Sequence, residues 1–145
     1  MKGDSSKKPE AVSVELKMKI VHECDIPEKA VPGRFLRWIA DSGSLQPEFL
    51  SSCTMRVMPM ETVKPAHSHP TGEELIYVIS GQGKVYVDGE VQDLSPGDAV
   101  LFTRGCIHMV RNSGREEMKV ICFFAPATSL GDYRFHPEVS FPENQ

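Results

Sequence analysis

From residue 74 onward the chain alternates apolar and polar positions with a period of two, and turn formers interrupt it every few residues. That rhythm predicts short β-strands rather than helices. Residues 74–80 form one such run, ending at Gly81-Gln82-Gly83, and 84–88 form the next, with Val85 and Val87 on one face. Asp88-Gly89 is a strong hairpin signal, since both central residues of a type I′ turn need positive φ. Residues 90–94 supply its second arm. Pro96-Gly97, Arg104-Gly105 and Asn112-Ser113-Gly114 mark the turns that follow, so 98–103, 107–111 and 118–125 complete the series.

Upstream, residues 12–20 alternate in the same way and are expected to be a strand. The stretch IPEKAVPG reads as a connection, because two prolines and a glycine break any regular element. RFLRWIA, 34–40, fits either helix or strand. Its aromatic and β-branched content and close flanking turn formers favour strand. A turn-rich loop follows, then a long run over 49–58 that stops at Pro59. No segment has a clear helical period. Short strands at this spacing predict an all-β sandwich or barrel. Residues 1–11 are charged with no apolar stretch behind them and are expected to be a disordered leader. Residues 12–145 are then one domain, with the barrel at 34–125. The tail, 126–145, is expected to pack on it, because Tyr133, Phe135, His136 and Phe141 are too many aromatics for a free segment.

Composition narrows the partners. A chain of 145 residues suits one core. A net charge of −4 leaves no basic footprint, so no nucleic-acid partner is expected. No run approaches the ~20 apolar residues of a membrane helix, so no membrane partner is expected either. The four cysteines are scattered, without a C-x-x-C pair. They read as reduced, largely buried thiols, which makes a cytoplasmic location the default.

The chemistry concentrates around HSHPTGEE, 67–74. His67 and His69, two residues apart on extended backbone, point the same way. A Pro/Gly loop then reverses the chain, and Glu74 opens the next strand, facing the same interior as Ile76 and Val78. Glu73 is the rival ligand; alternation puts it on the opposite face with Leu75, Tyr77 and Ile79, which adds weight to Glu74 without excluding Glu73. His108 starts a strand of its own after Arg104-Gly105 and completes a set of three imidazoles and one carboxylate. Such a set suits a divalent transition metal: iron, manganese, nickel, zinc or copper. His22 and His136 have no comparable company. Arg56 and Arg104 are candidates to hold a substrate carboxylate, and Cys53 or Cys106 to neighbour the metal; for each, an ordinary surface or core role is the commoner alternative.

The segment resembles the first cupin motif, G-x5-H-x-H-x3,4-E-x6-G, through His67, His69, Glu74 and Gly81, with Glu61 at the place of the opening glycine. The second cupin motif, G-x5-P-x-G-x2-H-x3-N, is matched by Gly97, Gly105, His108 and Asn112, with Thr103 at the proline position. Both departures fall at turns, not at ligands. The resemblance implies a double-stranded β-helix, or jelly-roll, barrel that binds a metal through His67, His69, Glu74 and His108 and acts on a small-molecule substrate. Oxygenase-type chemistry is the leading expectation. A metal-dependent isomerase or lyase is the alternative, although no general base stands out in the strands. A non-enzymatic ligand-binding module is the third. Similar cupins pair through N-terminal strands, so a homodimer is expected, with Phe35, Leu36, Trp38 and Ile39 as candidate apolar surface.

Overall fold

The computed structural model describes residues 18–143. The expected leader and most of the expected strand over 12–20 lie outside these residues, and 18–20 are irregular. Among the described residues the regular structure is almost entirely β. The strands are β1 (Lys29–Val31), β2 (Arg34–Ala40), β3 (Ser51–Val57), β4 (Ala66–Ser68), β5 (Glu73–Ser80) and β6 (Gly83–Val87). They continue with β7 (Glu90–Leu94), β8 (Ala99–Phe102), β9 (His108–Asn112), β10 (Met118–Ala125) and β11 (Arg134–His136). Short 3-10 turns at Glu23–Asp25 and Leu130–Asp132 are the helical elements.

Two antiparallel sheets face each other as a jelly roll. One runs β1-β2-β3-β10-β5-β8 and the other β11-β4-β9-β6-β7. Alternation sets which side chains meet between them. On β5 every second residue (Glu74, Ile76 and Val78) is buried, while Glu73, Leu75, Tyr77 and Ile79 face outward. On β10 the inner set is Met118, Val120, Cys122 and Phe124. These meet Leu36, Val57, Val85, Phe102 and Val110 in one apolar core.

The C-terminal segment does pack against the barrel. β11 pairs with β4, and Phe141 joins Ala66 and Met109 in a smaller cluster outside the second sheet. This explains why Met109 is buried although it points away from His108 and Val110. The Arg111 guanidinium lies 4.3 Å from the centre of the Phe141 ring and fastens the segment further.

Asn112 ties the turn after β9 to the opposite sheet. Its Oδ1 accepts from the Gly114 amide at 2.9 Å, the local turn bond that its sequence context predicts. Its Nδ2 also donates to the carbonyls of Val57 and Glu116, at 2.8 and 2.7 Å. Nearby, Gly33 has φ +79° and its Cα lies flush against the backbone of Thr62 and Val63. That close approach seats the β1–β2 turn on the segment leading into β4 and delivers Arg34 to the barrel interior.

Candidate metal centre

His67 and His108 are direct cross-strand partners on β4 and β9, so their imidazoles rise from the same sheet face. Their ring centroids are 4.4 Å apart. His69 follows one residue after β4, and its carbonyl accepts from the Gly105 amide at 3.0 Å, which binds the two histidine segments together. Glu74 arrives from the opposite sheet, between Phe102 and Phe124 in register. One donor atom from each of these four buried residues lies within 4.8 Å of every other. All four sequence candidates therefore converge, and Glu73, exposed on the outer face, does not join them.

The histidine tautomers follow from their backbone partners. The Nδ1–H of His67 donates to the Pro65 carbonyl at 3.3 Å, and that of His108 to the Cys106 carbonyl at 3.1 Å. A carbonyl only accepts, so in the neutral ring each Nε2 carries a lone pair turned inward. The Oε1 of Glu74 stands 3.0 Å from His69 Nε2 and 3.2 Å from His108 Nε2. A lone pair facing a carboxylate at that distance requires a cation between them, either a proton or a metal ion. His69 Nδ1 is buried without a hydrogen-bond partner. These donors fit a divalent transition metal, and the second-sphere bonds to Pro65 and Cys106 carbonyls are the kind that orient metal-binding imidazoles.

Protonation follows the same logic in the metal-free protein. Burial pushes the His108 imidazolium down, but its bonds to Cys106 and Glu74 outweigh this and raise it to about 9. Burial likewise opposes the Glu74 carboxylate, yet hydrogen bonds from His108 and His69 hold it below the usual range. His67 is lowered, chiefly by burial and then by the neighbouring His108 charge, and stays neutral. A proton on His108 thus takes the cation's place.

The surrounding cavity is lined by Arg34, Cys53, Ile76, Phe102, Cys122 and Tyr133 among others. Its free space is about 20 Å3, room for about one water. Phe102 stacks on His108 at 3.8 Å, and Tyr133 stacks on His67 at 4.8 Å. Burial pushes the Tyr133 phenol up, so it is neutral. Cys53 and Cys122 are cross-strand partners, and the Cys122 thiol is raised by its bond to Cys53 and by burial.

Several secondary candidates sit elsewhere. Arg56 lies on the outer face, paired with Glu28 at 2.7 Å and with Glu117, and Arg104 is exposed. Neither reaches the cavity. Cys106 joins the core with its Sγ 3.9 Å from His108 Nδ1, on the far side of the ring from Glu74. His136 pairs its Nε2 with the Ser68 hydroxyl at 2.9 Å, and His22 is an exposed cap. Conversely, Arg34 is a cavity residue that the sequence reading passed over. Its signal was there: Arg34 shares the phase of Leu36 and Trp38, so a charge sits where alternation demands an inward side chain.

Comparison with known proteins agrees with this arrangement. Residues 53–124 match the model of the cupin domain family. The germin-like protein 9-2 of Oryza sativa subsp. japonica is 33% identical over 94 residues, covering 61% of this chain and 44% of that protein. The dimethylsulfoniopropionate lyase DddQ of Ruegeria pomeroyi is 28% identical over 89 residues, covering 61% of this chain and 41% of the lyase. The chain thus matches less than half the length of either relative. Among solved structures, the polyketide cyclase RemF of Streptomyces resistomycificus aligns with a TM-score of 0.70 at 24% identity, over 87% of this chain and 88% of that one. Oxalate decarboxylase of Bacillus subtilis aligns at 0.71 and 22% identity, over 88% of this chain and 34% of that one. Both likenesses concern the fold. With the two histidine motifs, the facing sheets and the family match in agreement, the chain belongs to the cupin superfamily.

Proposed function

We propose that this cupin binds one divalent transition metal ion through His67, His69, Glu74 and His108 and acts on a small organic molecule by oxygenase-type chemistry. The observation that carries the reading is the convergence of four buried donors in a cavity walled by apolar side chains. When bound, such a metal supplies Lewis acidity and, if redox-active, a means of activating dioxygen. The chain's own contribution is to fix the imidazoles through Pro65 and Cys106, to keep bulk water out with Phe102 and Phe124, and to close the cavity with Tyr133.

Tyr133 also favours a second reading, a metal-dependent isomerase or lyase. Its protonated hydroxyl is a proton donor beside the ligands, contributed by the tail rather than the barrel strands. The lyase among the relatives is in keeping with this.

Elemental analysis by plasma mass spectrometry tests the centre. About one metal ion per chain is expected in the wild type, as for a single mononuclear site, with loss in a His67→Ala/His108→Ala variant. Oxygen-electrode measurements over a panel of small organic acids then separate the readings. Metal-dependent oxygen uptake supports the oxygenase, whereas equal turnover under argon points to the isomerase or lyase. A wild type that takes up no metal on reconstitution would remove both.

We also propose that the chain pairs with a second copy. Leu36 and Trp38 point into the barrel and Phe35 lies under Arg56, so 34–40 contributes less apolar surface than its sequence suggests. The apolar outer face is elsewhere: Phe123 on β10, Leu75, Tyr77 and Ile79 on β5, and Leu101 on β8 are each 39–51% exposed. Register sets Phe123, Leu75 and Leu101 side by side. A contiguous apolar row of this kind marks an association surface. Light scattering is expected to give twice the chain mass for the wild type and the chain mass for Tyr77→Glu. A monomeric wild type rejects the dimer.

A further inference from the structure

Arg34 is 6% exposed and lines the same cavity as His67, Glu74 and His108. Its Nη1 donates to the Pro32 carbonyl at 3.0 Å and, more weakly, to the Lys64 carbonyl at 3.5 Å. These bonds orient the guanidinium but bring no negative charge to it. Among the described residues no carboxylate forms an ion pair with Arg34, and its Nε and Nη2 have no acceptor. A buried cation without a counter-charge is costly, and burial accordingly pulls the Arg34 guanidinium below its ordinary value.

Glu74 does not neutralise it. That carboxylate is already engaged by His69 and His108, and in the metal-bound protein it is a ligand. With a divalent ion in place, Arg34 and the ion bring three positive charges against the single negative charge of Glu74. Glu74 is the only carboxylate among the residues that line the cavity. A buried cavity with that excess selects an anion. A guanidinium presenting two free donors in a plane matches the two oxygens of a carboxylate.

We infer that Arg34 is the anion anchor of this cavity and that the substrate is a small organic acid whose carboxylate pairs with its guanidinium. The inference deepens the proposed metal-dependent function and rests on it for the net charge. Arg34 determines specificity by binding the substrate carboxylate.

Glycolate and its uncharged counterpart glycolamide test this by isothermal titration of zinc-loaded protein, with zinc content measured on each sample. Glycolate is expected to bind the wild type about 10- to 100-fold more tightly than glycolamide, the range of a charge-assisted hydrogen bond. In Arg34→Gln the preference is expected to fall toward parity while zinc content is unchanged. In Arg34→Lys, which keeps the charge but loses the fork, part of it is expected to remain. Parity in the wild type overturns the inference. So does an undiminished preference in either folded variant, because the metal charge alone then accounts for anion binding. If the wild type holds no zinc, the metal reading fails separately. The same pair of titrations on metal-free wild type and Arg34→Lys then decides on Arg34 alone, a preference that shrinks in the variant supporting it, and parity in the wild type or an undiminished preference in the variant rejecting it.

Discussion

Glu74→Gln is expected to weaken divalent metal binding by at least about 100-fold, the upper range for losing even an outer-sphere partner, and to leave the barrel folded. Glu74 carries the only negative charge among the four donors, and its Oε1 sits within 3.2 Å of both His69 and His108. The amide keeps the shape but not the charge. The metal-free protein gives an independent readout. In the wild type His108 is raised from 6.5 to about 9, partly by Glu74; in the variant its pKa should drop well below that value, because burial remains and the carboxylate does not. The sign of the linked stability follows. A raised histidine stabilises the metal-free fold fully below pH 6.5, and that contribution fades as pH climbs through 9. The depressed Glu74 contributes above its ordinary 4.5 and loses its effect as pH falls below it. Thermal melts of the metal-free wild type should therefore decline from pH 6.5 to 9, and Glu74→Gln should flatten that slope. Competition against a chromogenic chelator measures the affinity. An affinity within a few-fold of wild type would remove Glu74 from the metal site.

Much of this candidate centre was legible because its four donor residues are local to two short segments. The six residues between Glu74 and Gly81, with strand alternation in support, favour Glu74 over Glu73, and the His-x-His spacing aligns two imidazoles. The strands 34–40, 90–94 and 118–125 also coincide with β2, β7 and β10, since each is bracketed by turn formers that leave the backbone little choice. What stayed hidden was long-range. On β10 Ile121 and Phe123 are apolar as well as Val120 and Cys122, so alternation identifies two faces without saying which is inner. Only packing decides: Met118, Val120, Cys122 and Phe124 share one core with Val85 and Val110 of the facing sheet.

Arg34 and Tyr133 illustrate the same limit. Each reaches the centre from a segment far from the histidines in sequence, one through a turn seated on residues 62–64 and the other through a tail paired to β4. Local pattern places Arg34 on an inward face, but it cannot say that the cavity there contains the four candidate metal donors. The outer apolar row on β5, β8 and β10 needed the sheet order as well. Its residues are spread over three strands that are not consecutive in the chain.

The seat of Arg34 carries the last expected result: Gly33→Ala should destabilise the protein by about 2–5 kcal/mol, combining left-handed strain with overpacking. Gly97→Ala should cost only about 1–2 kcal/mol, the strain alone. Both glycines have positive φ, +79° and +96°, so both demand a backbone that alanine resists. They differ in what a side chain would meet. A Cβ on Gly33 would overlap the Thr62 carbonyl oxygen and press on the Val63 backbone, whereas a Cβ on Gly97 would meet nothing within 4 Å. Strain is common to the pair, and the close approach belongs to Gly33 alone. For a domain of this size the melting temperature should fall by about 10 °C in Gly33→Ala and about 4 °C in Gly97→Ala. Equal losses in calorimetry would mean that the β1–β2 turn gives way freely, and Arg34 would then lack the rigid seat that an anion anchor requires. A larger loss at Gly33 would show that the contact between this turn and the segment entering β4 is tight. The same backbone contact would then hold both the guanidinium and the approach to His67.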